Sequence, residues 1–278
     1  MRATILTNLV ALNITRHLEK NRRIFEKSAE RLASGKRINQ MSDDAAGAAI
    51  STSLEAQIRS IIQASRNAQD AISLFQVAGG AMSEISSIFV RLRELAIQAS
   101  SDTVGDEERE MLAVEASQLK EEVDRIADST RYLGTNLLNG AGRDFTFQIG
   151  VNDDETNRIG YDASQIDVRT STLGIDDIDM SSIDAAQGSL GHIDDAISRL
   201  HVPRANMGAM QSRLESTINF LGVSEEGFTA AQSRILDADV AREASDTVKG
   251  QVLQKSGIAV LSQANMLPAL ILKILGDN

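Results

Sequence analysis

LASGKRINQMSDDAAGAAIS, running from Leu32 to Ser51, separates one helix from the next. Gly35 supplies the positive φ that closes a helix at Ser34, and Lys36 and Arg37 follow at the negative end of its macrodipole. Ser42, Asp43 or Asp44 then caps the exposed N–H groups of a second helix and sets a carboxylate at its positive end. The small run Ala45-Ala46-Gly47-Ala48-Ala49 lets another backbone approach closely. The stretch is a capped hinge, and the segments on either side are helical.

Upstream, apolar residues recur at helical spacing from Ile5 to about Ala33: Ile5, Leu9 and Leu12, then Phe25, Ala29 and Leu32. Downstream lies the strongest periodicity in the chain. From Ile50 through Leu54, Ile58, Ile61 and onward to Phe89, Leu92, Ala96 and Ala99, every step is three or four residues with a mean of 3.5, interrupted in type only by Ser65 and Gly79. A heptad of that length predicts a coiled-coil-like helix about 80 Å long. Gly79-Gly80 in its middle costs roughly 1 kcal/mol per glycine relative to alanine, so close packing is expected there.

Ser100 to Gly105 breaks the pattern, and Asp106, Glu107 and Glu108 open a new helix with an inward stripe at Leu112, Ala116, Leu119, Val123 and Ile126. This helix should fold back antiparallel on the long one. Thr135 to Gly142 reads as a turn region. Asp144 to Ile149 alternates at period two, as a half-buried strand does, and Arg158 to Tyr161 returns beside it. Short strands and loops are expected up to about Ser182.

Helical spacing resumes near Ala185 and holds a mean step of 3.5 from Ile193 to Ile235. Two heptad helices separated by a hairpin should pair antiparallel. Pro203 either kinks this helix or begins it. The last segment places Leu253, Gly257, Val260, Ala264, Leu267, Ile271 and Ile274 on one face and Val248, Val252, Ala259 and Met266 beside it. One partner helix cannot cover both faces, and other copies of the chain are the economical cover for the remainder. The fold class is mostly α: a long antiparallel coiled-coil-like helical bundle, with a small β-hairpin region inserted between N- and C-terminal helical halves.

Composition agrees with aliphatic helix packing, since the 278 residues include seven Phe, two Tyr, no Trp and two Pro. Basic residues number 28 against 39 acidic ones and are scattered, so no nucleic-acid partner is expected. There is no cysteine, hence no disulfide and no thiolate metal site. The N-terminal stretch lacks the pattern of a cleaved secretory signal. Ser256 to Leu272 is uncharged over 17 residues, short of the roughly 20 that a membrane span needs, and is interrupted by Ser262, Gln263, Asn265 and Pro268. Burial against partner helices is the expectation. The Asn13-Ile14-Thr15 sequon sits in a helix that must pack, which makes it an accidental match.

No catalytic constellation emerges. His17, His192 and His201 are isolated, and no HExxH occurs. Asp237-x-Asp239 and Asp153-Asp154-Glu155 lack the glycine and glutamate spacing of a calcium loop. Ala78-Gly79-Gly80-Ala81 lacks a phosphate-binding lysine. No catalytic residue, cofactor or metal is expected, and the chain does not read as an enzyme.

The hinge string closely resembles the N-terminal signature of bacterial flagellins, the subunits of the flagellar filament. Further matching strings are Leu12, Asn13 and Arg16 in LNITR, RNAQDAISLFQ (66–76), RLRELAIQAS (91–100), EEVDRIADST (121–130), LLNG (137–140), GAMQSRLESTI (208–218), SRILDADVARE (233–243) and LSQAN (261–265). The departures are Arg131-Tyr132-Leu133 where flagellins usually have a Phe-Asn pair, Gly79 for a common Glu, and Pro203.

The resemblance implies that terminal helices 1–35 and 238–278 form the inner tube of a filament, with 36–45 and 233–240 as spokes. It also implies an outer wall of 46–139 and 185–235 and a hairpin insertion at 140–184. The inner-tube residues would be Leu9, Leu12, Leu253, Val260, Ala264 and Leu267, and the spoke residues Asn39, Asp43, Asp44, Arg234 and Asp237. An exported, extracellular homopolymer is implied, with an export chaperone, cap and hook-junction proteins as partners. So is recognition by an innate immune receptor at positions matching Arg91, Leu95 and Glu115. The rival readings are a hook-filament junction protein and a secreted helical translocator or tip protein.

Overall fold

The computed structural model describes residues 8–276, with side chains described through residue 266. Helix α1 (Leu9–Ser34) is capped by Asn8, whose Oδ1 accepts from Ala11 N at 3.0 Å, and closes on Gly35 at φ 69°. Helix α2 (Ala45–Ala99) follows, then α3 (Asp106–Ser129). A tight hairpin, β1 (Arg131–Tyr132) and β2 (Thr135–Asn136), occupies part of the region read as a turn. Leu133 and Gly134 at its tip both have positive φ, the geometry a two-residue hairpin turn requires.

Strands β3 (Asp144–Gln148) and β4 (Arg158–Asp162) pair antiparallel with Phe145 opposite Tyr161 and Phe147 opposite Ile159. A single-turn α4 (Thr170–Leu173) precedes α5 (Ile183–Leu236), and α6 (Val240–Gly276) ends the described chain. Helix α5 runs unbroken through Pro203, so the alternative start at that residue is excluded.

The chain divides into two compact units. Residues 57–226 form one. In it α3 packs antiparallel on α2, as ties from Arg91 to Glu115, Arg109 to Ala99 and Tyr132 to Asp70 show. Helix α5 packs antiparallel on α2 as well, through Arg93 to Asp194 and Arg204 to Ser83. The α2 heptad fills the core: Phe75, Met82, Ile85, Phe89, Leu92 and Ala96 are fully buried, against Val123 of α3 and Ile193, Leu200 and Leu214 of α5. Beneath the hairpin, Tyr161 meets Phe75 edge-on at 4.8 Å between ring centroids.

The other unit comprises the residues up to 56 and those from 227 onward. There α1 pairs along its length with the first part of α6, and the chain segments that lead into them cross at the hinge.

Candidate assembly surface

The hinge is built by the residues flanking Gly35. Lys36 and Asp237 form an antiparallel bridge, Arg37 N donates to Leu236 O at 2.6 Å, and Ala238 N donates to Gly35 O at 2.9 Å. The Arg37 guanidinium donates through Nε and Nη2 to Ile235 O at 3.2 and 2.7 Å. This cation therefore satisfies the carboxyl end of α5, not that of α1 to which sequence proximity assigned it.

The two hinge aspartates divide the work. Asp44 Oδ1 accepts from Gly47 N at 2.9 Å and is the N-cap of α2. Asp43 turns back instead: its Oδ2 accepts from Asn39 N and Gln40 N at 3.2 and 3.3 Å, and its Oδ1 meets Lys27 Nζ at 2.7 Å. The hydrogen bond from Lys27, aided by the Asn39 amide, lowers the Asp43 pKa to about 2. Ile38 is buried against Gly47, where a Cβ would stand 2.8 Å from Ile38 Cδ1 and 2.6 Å from Asp44 Oδ2. Asn39 is half-buried, with an Nδ2 that has no partner among the described residues. Arg234 lies exposed in the last turn of α5, and Asp237 is exposed in the bridge. Asp239 caps α6 by accepting from Ala241 N and Arg242 N.

The pairing of α1 with α6 is tighter than aliphatic side chains allow. Gly250 lies against Phe25 and Gly257 against Leu18. Ala264, seven residues further on, is 4% exposed, and its carbonyl accepts from Asn8 Nδ2 at 2.9 Å. At the hinge end the half-buried Arg31 donates to the buried Glu243 at 3.1 Å. Ser28, also buried, stands in the same α1 row. The seam is thus small, polar or glycine on one side, and close backbone approach replaces large side-chain burial.

Phe25 and Leu18 lie in this seam, but other large apolar residues stay out of it. Leu9 and Leu12 are 62% and 54% exposed, and Leu253 and Val260 are exposed on α6 together with Val248, Val252 and Ile258. Of the six residues expected at an inner tube, these four are uncovered in a single chain, whereas Ala264 is already taken up inside the pair. Leu267 lies outside the residues whose side chains are described. The seam residues Gly250 and Ser28 and the hinge partner Lys27 lie outside what the apolar period marks, because it singles out bulky residues; the seven-residue spacing of Gly250, Gly257 and Ala264 is the signal for the glycine.

In the other unit, Arg91 Nε and Nη2 both donate to Glu115 Oε1, at 3.0 and 2.8 Å, and Nη1 donates to Glu94 at 3.2 Å. These groups are exposed. Leu95 is not: its side chain is fully buried in the core beside the heptad residues Leu92 and Ala96, so it offers no surface to a receptor. Among the described residues no group of three metal-ligating side chains comes together.

Residues 5–143 match the family model of the bacterial flagellin N-terminal helical region, and residues 190–275 that of the bacterial flagellin C-terminal helical region. A flagellin of Halalkalibacterium halodurans is 39% identical over 268 residues, covering 96% of this chain and 98% of its own length. Flagellin FlaB1 of Treponema pallidum is 40% identical over 261 residues, covering 90% and 91%. The crystal structure of Bacillus cereus flagellin matches with a TM-score of 0.50 at 31% identity, over 56% of this chain and 88% of that one.

Proposed function

The chain belongs to the bacterial flagellin family, and from that premise we propose how it assembles: the uncovered apolar faces of α1 and α6 are the surfaces that other copies bury. It is a structural subunit of the flagellar filament, the polymer of swimming motility, and it self-polymerises. No observation favours the junction protein or the translocator.

One observation carries the assembly reading. The α1–α6 seam uses glycine and alanine while Leu9, Leu12, Leu253 and Val260 stay in solvent, an arrangement costly for a free monomer and economical for a polymer. Each buried leucine or valine contributes about 1.5–3 kcal/mol to assembly. The terminal helices then line the inner tube. The hinge held by Asn39, Asp43, Asp44 and Asp237, with Arg234 beside it, is the spoke to the outer wall. Helices this exposed gain their order on assembly, which suits export of the chain in unfolded form and escort by a chaperone.

Growth at a cap and attachment through hook-junction proteins complete the partner set, and the filament is extracellular. The role is structural, with no catalysis, cofactor or nucleic-acid partner. Receptor recognition falls to Arg91 and Glu115, whose exposed pair presents charge on the outer helices.

Leu12→Ser combined with Val260→Ser tests the reading. Circular dichroism of the monomer should change little, while sedimentation and negative-stain electron microscopy should show a critical concentration raised at least tenfold, or no filaments. Unaltered polymerisation of the double variant would overturn the assignment of these faces.

A further inference from the structure

The most exposed large apolar side chain among the described residues is Leu133, 89% accessible at the tip of the β1–β2 turn. It is also their one non-glycine residue with positive φ, at 48°. A leucine there is strained by about 1–2 kcal/mol, where asparagine or glycine fits readily. The turn that carries it is anchored firmly: Leu137 N donates to Thr130 O at 3.1 Å, Leu137 and Leu138 are fully buried, and Tyr132 OH reaches Asp70 O at 3.4 Å. Strain in the tip and rigidity in the base hold an apolar knob out in water.

Beside the knob, Arg131 is exposed and makes no ion pair among the described residues. It stands on a unit that holds 14 of the 28 basic residues and 28 of the 39 acidic ones. A complementary surface exists on the same unit. Near the start of α3, Met111 and Val114 are exposed side by side, 71% and 59% accessible, on the face opposite buried Arg109 and Ala116. Glu107 and Glu110 rim that pair and, like Arg131, form no ion pair among the described residues.

We propose that the Leu133 turn of one copy docks on the Met111–Val114 face of a second copy, with Arg131 against Glu107 and Glu110. This rests on the filament-subunit reading and names a contact within it. Knob and acceptor lie toward opposite ends of α3, about 25 Å apart at 1.5 Å per residue, too far to meet within one chain. A contact between two different patches of identical copies is heterologous, repeats from copy to copy, and leaves an open end for growth, as a filament needs. Charge complementarity favours a second copy as the occupant, because the cation-flanked knob meets a carboxylate-rimmed apolar pair on the same acidic unit.

The test uses the full chain and three variants. Leu133→Asn relieves the strained φ, so the monomer should melt at a higher temperature while its critical concentration for polymerisation rises about tenfold through loss of the buried leucine. Arg131→Glu and Glu110→Arg should each raise the critical concentration, and the double variant, in which every copy carries the exchanged pair, should return most of the way to the parent. Polymerisation of Leu133→Asn at the parental concentration, or single charge variants whose effects simply add, would overturn the contact. A parent chain that forms no filament would instead overturn the filament reading itself.

Discussion

Gly250 sits directly on Phe25: a Cβ built at 250 would stand 3.0 Å from Phe25 Cβ and 3.3 Å from its Cα. Seven residues on, Gly257 meets Leu18, but there the nearest atoms are Cγ and Cδ2, at 3.0 and 3.1 Å, the movable end of a side chain. The two glycines therefore respond differently to the same change. Gly250→Ala forces the backbones apart and should cost about 1–2 kcal/mol. Gly257→Ala regains most of the roughly 1 kcal/mol of helix propensity and should come out near neutral. Hydrogen exchange along α6 separates them, and equal protection in both variants would contradict the close-packed seam.

Asp43 joins the hinge to α1 through Lys27, and its pKa is lowered from 3.8 to about 2. A carboxylate with a depressed folded pKa contributes stability that is fully present above its unfolded value, and that stability is lost as pH falls through the folded one. Hinge protection should therefore fall between about pH 4 and pH 2. In Asp43→Asn the Asn39 and Gln40 amides should exchange faster at neutral pH and show no further change across that window. A parental hinge insensitive to acid would show that Lys27 and the two amides do not hold the carboxylate.

Arg109 is buried, yet it donates to Ala99 O at 3.0 Å, Ser101 O at 3.2 Å and Asp106 Oδ1 at 2.7 Å. It closes the carboxyl end of α2 and the turn into α3 together. Arg109→Met should cost about 2–4 kcal/mol by leaving buried carbonyls unpaired. Asp106, whose side chain is 98% exposed, adds little, and Asp106→Asn should cost under about 0.5 kcal/mol. Thermal unfolding reads both, and reversed magnitudes would mean the ion pair matters more than the carbonyl contacts.

Pro203 sits inside α5 without ending it. The helix is held there by packing on α2, with Leu200 and Met207 buried on either side. Pro203→Ala restores an N–H to the helix ladder and should stabilise the chain by about 1–3 kcal/mol in urea unfolding. A destabilised variant would show that the ring itself contributes packing.

Much of this architecture was legible in the residues alone. Gly35, Asp44 and the acidic start at Asp106 act through their own neighbours, so local chemistry marks where helices end and begin. The α2 heptad is equally direct, because an apolar row that long has one stable use, as the spine of a bundle. The β1–β2 hairpin was missed because two-residue strands leave too few positions for a period to register. The burial of Leu95 is not legible in the sequence, because it stands beside the heptad row and only the packing of α3 and α5 closes that face.

What the sequence determined by itself is the order of the long helices and the presence of more apolar helix surface than one chain can cover. Tertiary structure decided which face of α1 meets α6. Periodicity reports that a face is apolar, but close approach is governed by the atoms on both sides of an interface. Gly250 receives Phe25 and Gly257 receives Leu18, so the pair closes on its smallest residues and leaves Leu9, Leu12, Leu253 and Val260 facing outward.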